Sequence, residues 1–149
     1  MQPSPEFDLL FLLRILETGE KITLYSSGYD DALIFFEAND QKEFNACLNL
    51  LSQIGEHSNK VSDQTKKLGA DLPWEKLYGL RNRLVHDYTG IDKYITFDVI
   101  RQAIPEMIES ISRLIQTCIR NQYFSREDLE IAQTSPYLKH VNFKILYEY

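Results

Sequence analysis

Apolar residues recur at helical intervals along most of the chain. Phe7, Leu10, Phe11, Leu13 and Leu16 predict a first helix from Pro5 to about Glu17, too densely apolar for a single narrow stripe. A helix of that kind is buried from several sides, as in a bundle or an oligomer. Gly19 and Gly28 punctuate the next stretch, and Leu24 to Phe36 reads as a broken helix or two short ones. Asp40 and Glu43 have the spacing of a capping box, with Asp where Ser or Thr is usual. Phe44, Cys47, Leu48, Leu51, Ile54 and Val61 then continue the helical rhythm. Asp71-Leu72-Pro73 opens a further helix, expected to run to about Tyr88 and to stop at Gly90.

The cleanest stripe is Phe97, Ile100, Ile104, Ile108, Ile111, Ile115 and Ile119, predicting a helix from about Thr96 to Arg120 with a kink at Pro105. From His140 to Tyr149 the period changes to alternation, with Val141, Phe143, Ile145, Tyr147 and Tyr149 on one side. That pattern predicts an extended segment or strand, which needs a surface to dock on because isolated strands are unstable in water. The expected fold is all-α, a helical bundle of four to five helices over residues 1–120. A C-terminal extended tail over 121–149 would pack on the bundle, on a dimer mate or on a partner.

A chain of 149 residues is one domain long and buries roughly two-thirds of its unfolded surface, so it folds without staples. No apolar run approaches the ~20 residues that span a bilayer, and the start Met-Gln-Pro-Ser-Pro lacks the features of a secretory signal. A cytoplasmic location without membrane contact is expected. Cys47 and Cys118 sit in apolar helical patterns without metal-ligand spacing, and read as buried small hydrophobes. Gly-rich phosphate loops, Cys/His clusters and Ser nucleophile motifs are absent from the sequence, so neither a metal nor a cofactor is expected. The net charge of −6 argues against a broadly basic nucleic-acid surface, though it leaves room for a local basic cleft.

The candidate chemistry lies in Arg81-Asn82-Arg83-Leu84-Val85-His86-Asp87-Tyr88. On a continuous helix turning about 100° per residue, Arg81 falls in the middle of the arc made by Leu77, Leu84, Val85 and Tyr88. A buried unpaired guanidinium costs several kcal/mol, so such a residue has either a carboxylate partner, for which Glu56 is a candidate, or a purpose. Asn82 and His86 lie off the shoulder of that arc, with Arg83 and Asp87 on the opposite side. Arg binds phosphate through two parallel hydrogen bonds and keeps its charge, and His takes and gives protons near neutral pH. Together they can cleave RNA without metal, using the 2′-hydroxyl as nucleophile. Arg81 and His86 diverge by about 140° on one helix, so focusing both on one phosphate calls for two copies around a two-fold axis.

The Arg, four residues, His, one residue, Tyr pattern resembles that of the HepT-like branch of the HEPN superfamily. The flanks are similar too: Gln53-Ile54-Gly55-Glu56, Pro73-Trp74, Gly79-Leu80 and Tyr88-Thr89-Gly90-Ile91-Asp92. The resemblance spans roughly Phe7 to Leu114 and leaves the tail without a counterpart. It implies a helical homodimer acting as a metal-independent ribonuclease toxin, with a composite site built from both copies of the motif. Arg81 and His86 would be the catalytic pair, supported by Asn82, Arg83 and Asp87. It also implies a small nucleotidyltransferase antitoxin that silences the toxin by attaching AMP to Tyr88, placing a bulky anion beside the site. Lys60, Lys66, Lys67, Lys76, Arg81 and Arg83 are the candidates for a local basic rim. The alternative is a non-catalytic helical dimer that binds a nucleotidyltransferase, a nucleotide or both. His57, His140 and Trp74 are read as structural residues.

Overall fold

The computed structural model describes residues 5–86 and 90–149. A short 3-10 turn at Pro5–Phe7 leads into α1 (Asp8–Ser26), followed by α2 (Ala32–Glu37), α3 (Lys42–Lys60) and α4 (Asp63–Leu68). Then come α5 (Trp74–Tyr78), a 3-10 turn at Arg81–Leu84, and a two-stranded ladder of β1 (Val85–His86) and β2 (Gly90–Ile91). Helix α6 (Lys93–Asp98), a π turn at Val99–Ala103 and α7 (Ile104–Arg120) come next, and the tail carries α8 (Arg126–Gln133) and α9 (Phe143–Leu146). The all-α bundle expected from the sequence is present. None of the described helices is long and apolar enough to cross a membrane.

Helices α1 and α3 form the antiparallel spine, with α7 packed against α1. Leu12, Leu13, Ile15, Leu51, Ile54, Ile111 and Ile115 are fully buried between them. Gly19 lies inside α1 and does not end it, and a Cβ there would come within 2.9 Å of the Met107 side chain. The glycine lets α1 and α7 approach closely. The start of α3 also differs from the capping box expected at Asp40: Asn39, Asp40 and Gln41 take left-handed backbone conformations, and Asn39 donates its side-chain amide to Glu43 at 2.8 Å.

A buried polar cluster ties the far end of the spine together. The Asp8 carboxylate is fully buried and accepts hydrogen bonds from the Ser62 backbone N–H at 3.0 Å and from the Ser62 and Thr65 hydroxyls. Thr65 in turn shares a 2.8 Å hydrogen bond with Tyr123. One carboxylate thus joins the start of α1, the α3–α4 junction and the tail.

The tail is a correction to the expected extended segment. It folds into short helices, with Ser125 capping α8 and Asn142 accepting from Ile145 N–H at α9. Val141, Phe143 and Leu146 are buried, whereas Ile145 and Tyr149 remain partly exposed, so the alternation breaks after Phe143. The surface that receives the tail is its own bundle. Buried Glu17 on α1 accepts from His140 N–H at 2.6 Å and lies 2.6 Å from His140 Nδ1, and Gln116 on α7 donates to the Ile145 carbonyl at 2.7 Å.

Cys47 and Cys118 are free and buried, as their patterns suggested. Burial pushes the Cys47 thiol up to about 12 and the Cys118 thiol up to about 11. With so little thiolate at neutral pH, neither is expected to react with iodoacetamide until the protein unfolds. Intact-mass analysis before and after denaturant checks this, and alkylation of the native protein at either position would contradict it.

Candidate active site

The motif does not sit on one long helix. Helix α5 ends at Tyr78, where Gly79 N–H closes the last turn on Glu75 O at 3.0 Å. The reason is packing. A Cβ on Gly55 of α3 would lie 2.7 Å from the Tyr78 carbonyl oxygen and 3.2 Å from that of Leu77, so the end of α5 is pressed onto the α3 backbone. Beyond it, Leu80 and Leu84 stay buried through the 3-10 turn, anchoring the segment as it turns toward the ladder. Gly55→Ala therefore drives a methyl group into backbone that cannot step aside. A loss of about 1–3 kcal/mol is expected, read as a lower Tm, together with reduced activity as α5 shifts.

This break corrects two expectations. Arg81 is not in the middle of a buried arc but exposed, as are Asn82 and Arg83. The divergence of about 140° between Arg81 and His86 also required a continuous helix, whereas His86 lies in β1 with its backbone paired to Gly90. Gly90 takes φ +98°, a left-handed value that favours glycine, and this is its role in place of a helix stop. Asp87 and Tyr88 lie outside the described residues. Asp92 comes just after the ladder, donates its N–H to Leu84 O at 2.8 Å, and accepts from Tyr94 N–H and Ile95 N–H to start α6.

The structure brings Arg81 and Asn82 into one cleft of about 480 Å³, whose other wall is the face of α3 bearing Ser52, Gly55, Glu56, Asn59 and Lys60. Arg81 makes no ion pair among the described residues, and Glu56 shares the cleft without pairing with it. The guanidinium is therefore available to an incoming anion. Arg83 faces elsewhere, lining a separate groove with Lys76, Leu77 and Glu106. The basic rim is likewise divided: Lys60 stands at the Arg81 cleft, Lys76 at the Arg83 groove, and Lys66 lies over the Trp74 ring. Trp74 itself is structural, packing on the core and donating its indole N–H to Gly69 O at 2.9 Å.

One residue of the cleft was not legible in the sequence. Ser52 carries a buried hydroxyl with no hydrogen-bond partner among the described residues. An unpaired buried hydroxyl costs stability, and this one sits in the α3 wall of the cleft. Nothing about a lone Ser within an apolar helical pattern distinguishes it in advance.

His57 lies around α3 from that cleft. Its Nδ1 is buried without a partner among the described residues, and burial, then Arg14, then Lys60 hold its pKa below the usual imidazole value, with Glu56 opposing them weakly. Because the folded state resists protonation, stability is unaffected well above pH ~6.5 and declines as the pH falls below that value. His57→Gln is expected to flatten the acid side of the Tm–pH profile, and an unchanged slope would remove His57 as its source.

The sequence profile of the family Ribonuclease HepT-like matches residues 15–114. The chain belongs to that family. A protein of Methanocaldococcus jannaschii named "Putative RNase" is 26% identical over 102 residues, covering 68% of this chain and 90% of the relative. "Probable ribonuclease HepT" of Thermococcus cleftensis is 28% identical over 75 residues, 50% of this chain and 68% of the relative. No solved structure matches the chain with significance.

Proposed function

We propose that this protein is a metal-independent ribonuclease toxin that cuts RNA at a site completed by a second copy of the chain. The observation that supports it most directly is Arg81, an exposed guanidinium with no ion pair among the described residues, beside Asn82 in a cleft five residues before His86. Arg81 holds the scissile phosphate and offsets the charge that builds on it. His86 accepts the proton of the 2′-hydroxyl as that oxygen attacks phosphorus, or returns a proton to the departing 5′-oxygen. Both proton transfers are needed in one turnover, so two copies of His86 in a homodimer supply an acid and a base. Asn82 orients the phosphate, with Arg83 and Asp87 in outer supporting roles.

The family resemblance also supplies a mode of regulation. A nucleotidyltransferase antitoxin attaches AMP to Tyr88, and the added phosphate repels RNA from the adjoining His86. The test is growth of cells expressing the chain alone or with the nucleotidyltransferase, with total RNA run on gels and the intact mass of the purified protein measured. Arrest with RNA fragments, relieved by the partner with AMP mass added to wild type and absent from Tyr88→Phe, is expected. Folded, dimeric protein that neither arrests growth nor fragments RNA would replace this reading with a non-catalytic binding module.

A further inference from the structure

A second groove runs along the spine between α1 and α3, with a volume of about 220 Å³. Its α1 wall is Arg14, Glu17, Thr18 and Lys21, residues three or four apart that share one helix face. Its α3 wall presents Gln53 and His57, and Tyr137 from the tail closes it. The Tyr137 ring is 82% exposed, far more than packing requires. Arg14 makes no ion pair among the described residues. The one carboxylate in the groove, Glu17, is already engaged by His140 at 2.6 Å and Lys21 at 3.8 Å.

This groove and the Arg81 cleft share α3. At about 100° per residue, Gln53 lies near −40° from His57, Lys60 near −60°, Ser52 near −140° and Asn59 near −160°. Lys60 therefore stands on the ridge between the two, lining the cleft on one side and acting electrostatically on His57 on the other. Arg81 and Lys60 thus line the cleft, and Arg14 and Lys21 (the latter 3.8 Å from Glu17) line the groove across the ridge, where the exposed Tyr137 ring closes it.

We propose that the α1–α3 groove is an RNA-binding subsite: a single strand leaving the Arg81 cleft crosses α3 at Lys60, sets its phosphates against Arg14 and Lys21, and stacks a base on Tyr137. Cationic side chains that track a backbone, together with an aromatic platform, are the means by which proteins hold single strands without reading sequence. This rests on the reading of the chain as an enzyme that acts on RNA. It also gives the tail a function, since Tyr137 lies outside the residues matched by the family profile.

The test is binding of a short fluorescent single-stranded RNA, 2′-O-methylated so that it lacks the nucleophile, to the full-length protein by anisotropy across a salt series. The Arg14→Ala/Lys21→Ala double variant is expected to weaken binding at least about tenfold, and to reduce the slope of log Kd against log salt by about 1.4, two phosphate contacts' worth. Tyr137→Ala is expected to cost about five- to a hundredfold, with Tyr137→Phe within about twofold of wild type. Arg113→Ala, which removes a cation from α7 away from the groove, leaves Kd in place. Groove variants that are folded by circular dichroism yet retain the wild-type Kd and salt slope overturn the subsite. Failure of the nuclease reading looks different: wild type binds RNA through Arg14, Lys21 and Tyr137 but leaves unmodified RNA uncut.

Discussion

Arg81→Ala is expected to lower RNA cleavage by about 10²–10³-fold, with the fold intact. The side chain is exposed and pairs with no carboxylate among the described residues, so its removal leaves no buried group stranded. What is lost is a permanently charged fork at the cleft it shares with Asn82. Arg81→Lys is expected to recover little, because a single ammonium cannot reproduce two parallel hydrogen bonds to phosphate. Arg83→Ala provides the contrast: that guanidinium faces a different groove, and its loss is expected to change cleavage by no more than several-fold. Single-turnover cleavage of one RNA by all three variants makes the comparison. Equal losses for Arg81→Ala and Arg83→Ala would show that general charge, and not position in the cleft, is what the reaction uses.

The largest expected effect on stability is at Asp8. Asp8→Ala leaves the Ser62 N–H, the Ser62 hydroxyl and the Thr65 hydroxyl without their shared acceptor in a fully buried setting. Hydrogen bonds to a charged group contribute roughly 1.5–3 kcal/mol each and are not additive, so a loss of about 3 kcal/mol is reasonable. In a domain this size that lowers Tm by about 6–12 °C. Asp8→Asn keeps one carbonyl acceptor and is expected to lose about half as much. Tyr123→Phe removes only the outer bond of the cluster, and should cost about 1 kcal/mol. Thermal melts monitored by circular dichroism order the three. A loss below about 1 kcal/mol for Asp8→Ala would mean that water replaces the carboxylate and that the cluster does not couple α1 to the tail.

Much of the bundle was legible because its helices are long and their stripes survive packing. The buried Phe44, Cys47, Leu51 and Ile54 of α3, and Ile111, Ile115 and Ile119 of α7, are the positions their spacing indicated. The motif was legible as a string of residues, but not its conformation. Leu77, Leu80 and Leu84 are spaced three and four apart, which suits an α-helix and a helix running into a 3-10 turn equally well. The feature that decides between them is Gly55 pressed against the Tyr78 carbonyl, a contact between segments more than twenty residues apart. The tail failed for a related reason. A short alternating run does not specify its own structure, and the partners that settle it, Glu17 and Gln116, belong to α1 and α7. The groove at His57 was invisible because an imidazole with an unpaired nitrogen looks, in sequence, like any other.

The π turn at Val99–Ala103 has a bearing on how the site-bearing ladder is aimed. Pro105 lacks the N–H that a regular helix would use one turn back, and the wider turn lies just before it. One extra residue in the turn also rotates the adjoining α6 by about 100° relative to α7. The turn thus acts as a vernier between two rigid parts. It lets the Ile104–Ile119 stripe keep its grip on the spine while α6, Asp92 and the ladder behind them point in a direction that an unbroken helix would deny them. Removing a single residue from Val99–Ala103 is expected to leave the spine packed while turning α6 and the ladder away from their present direction.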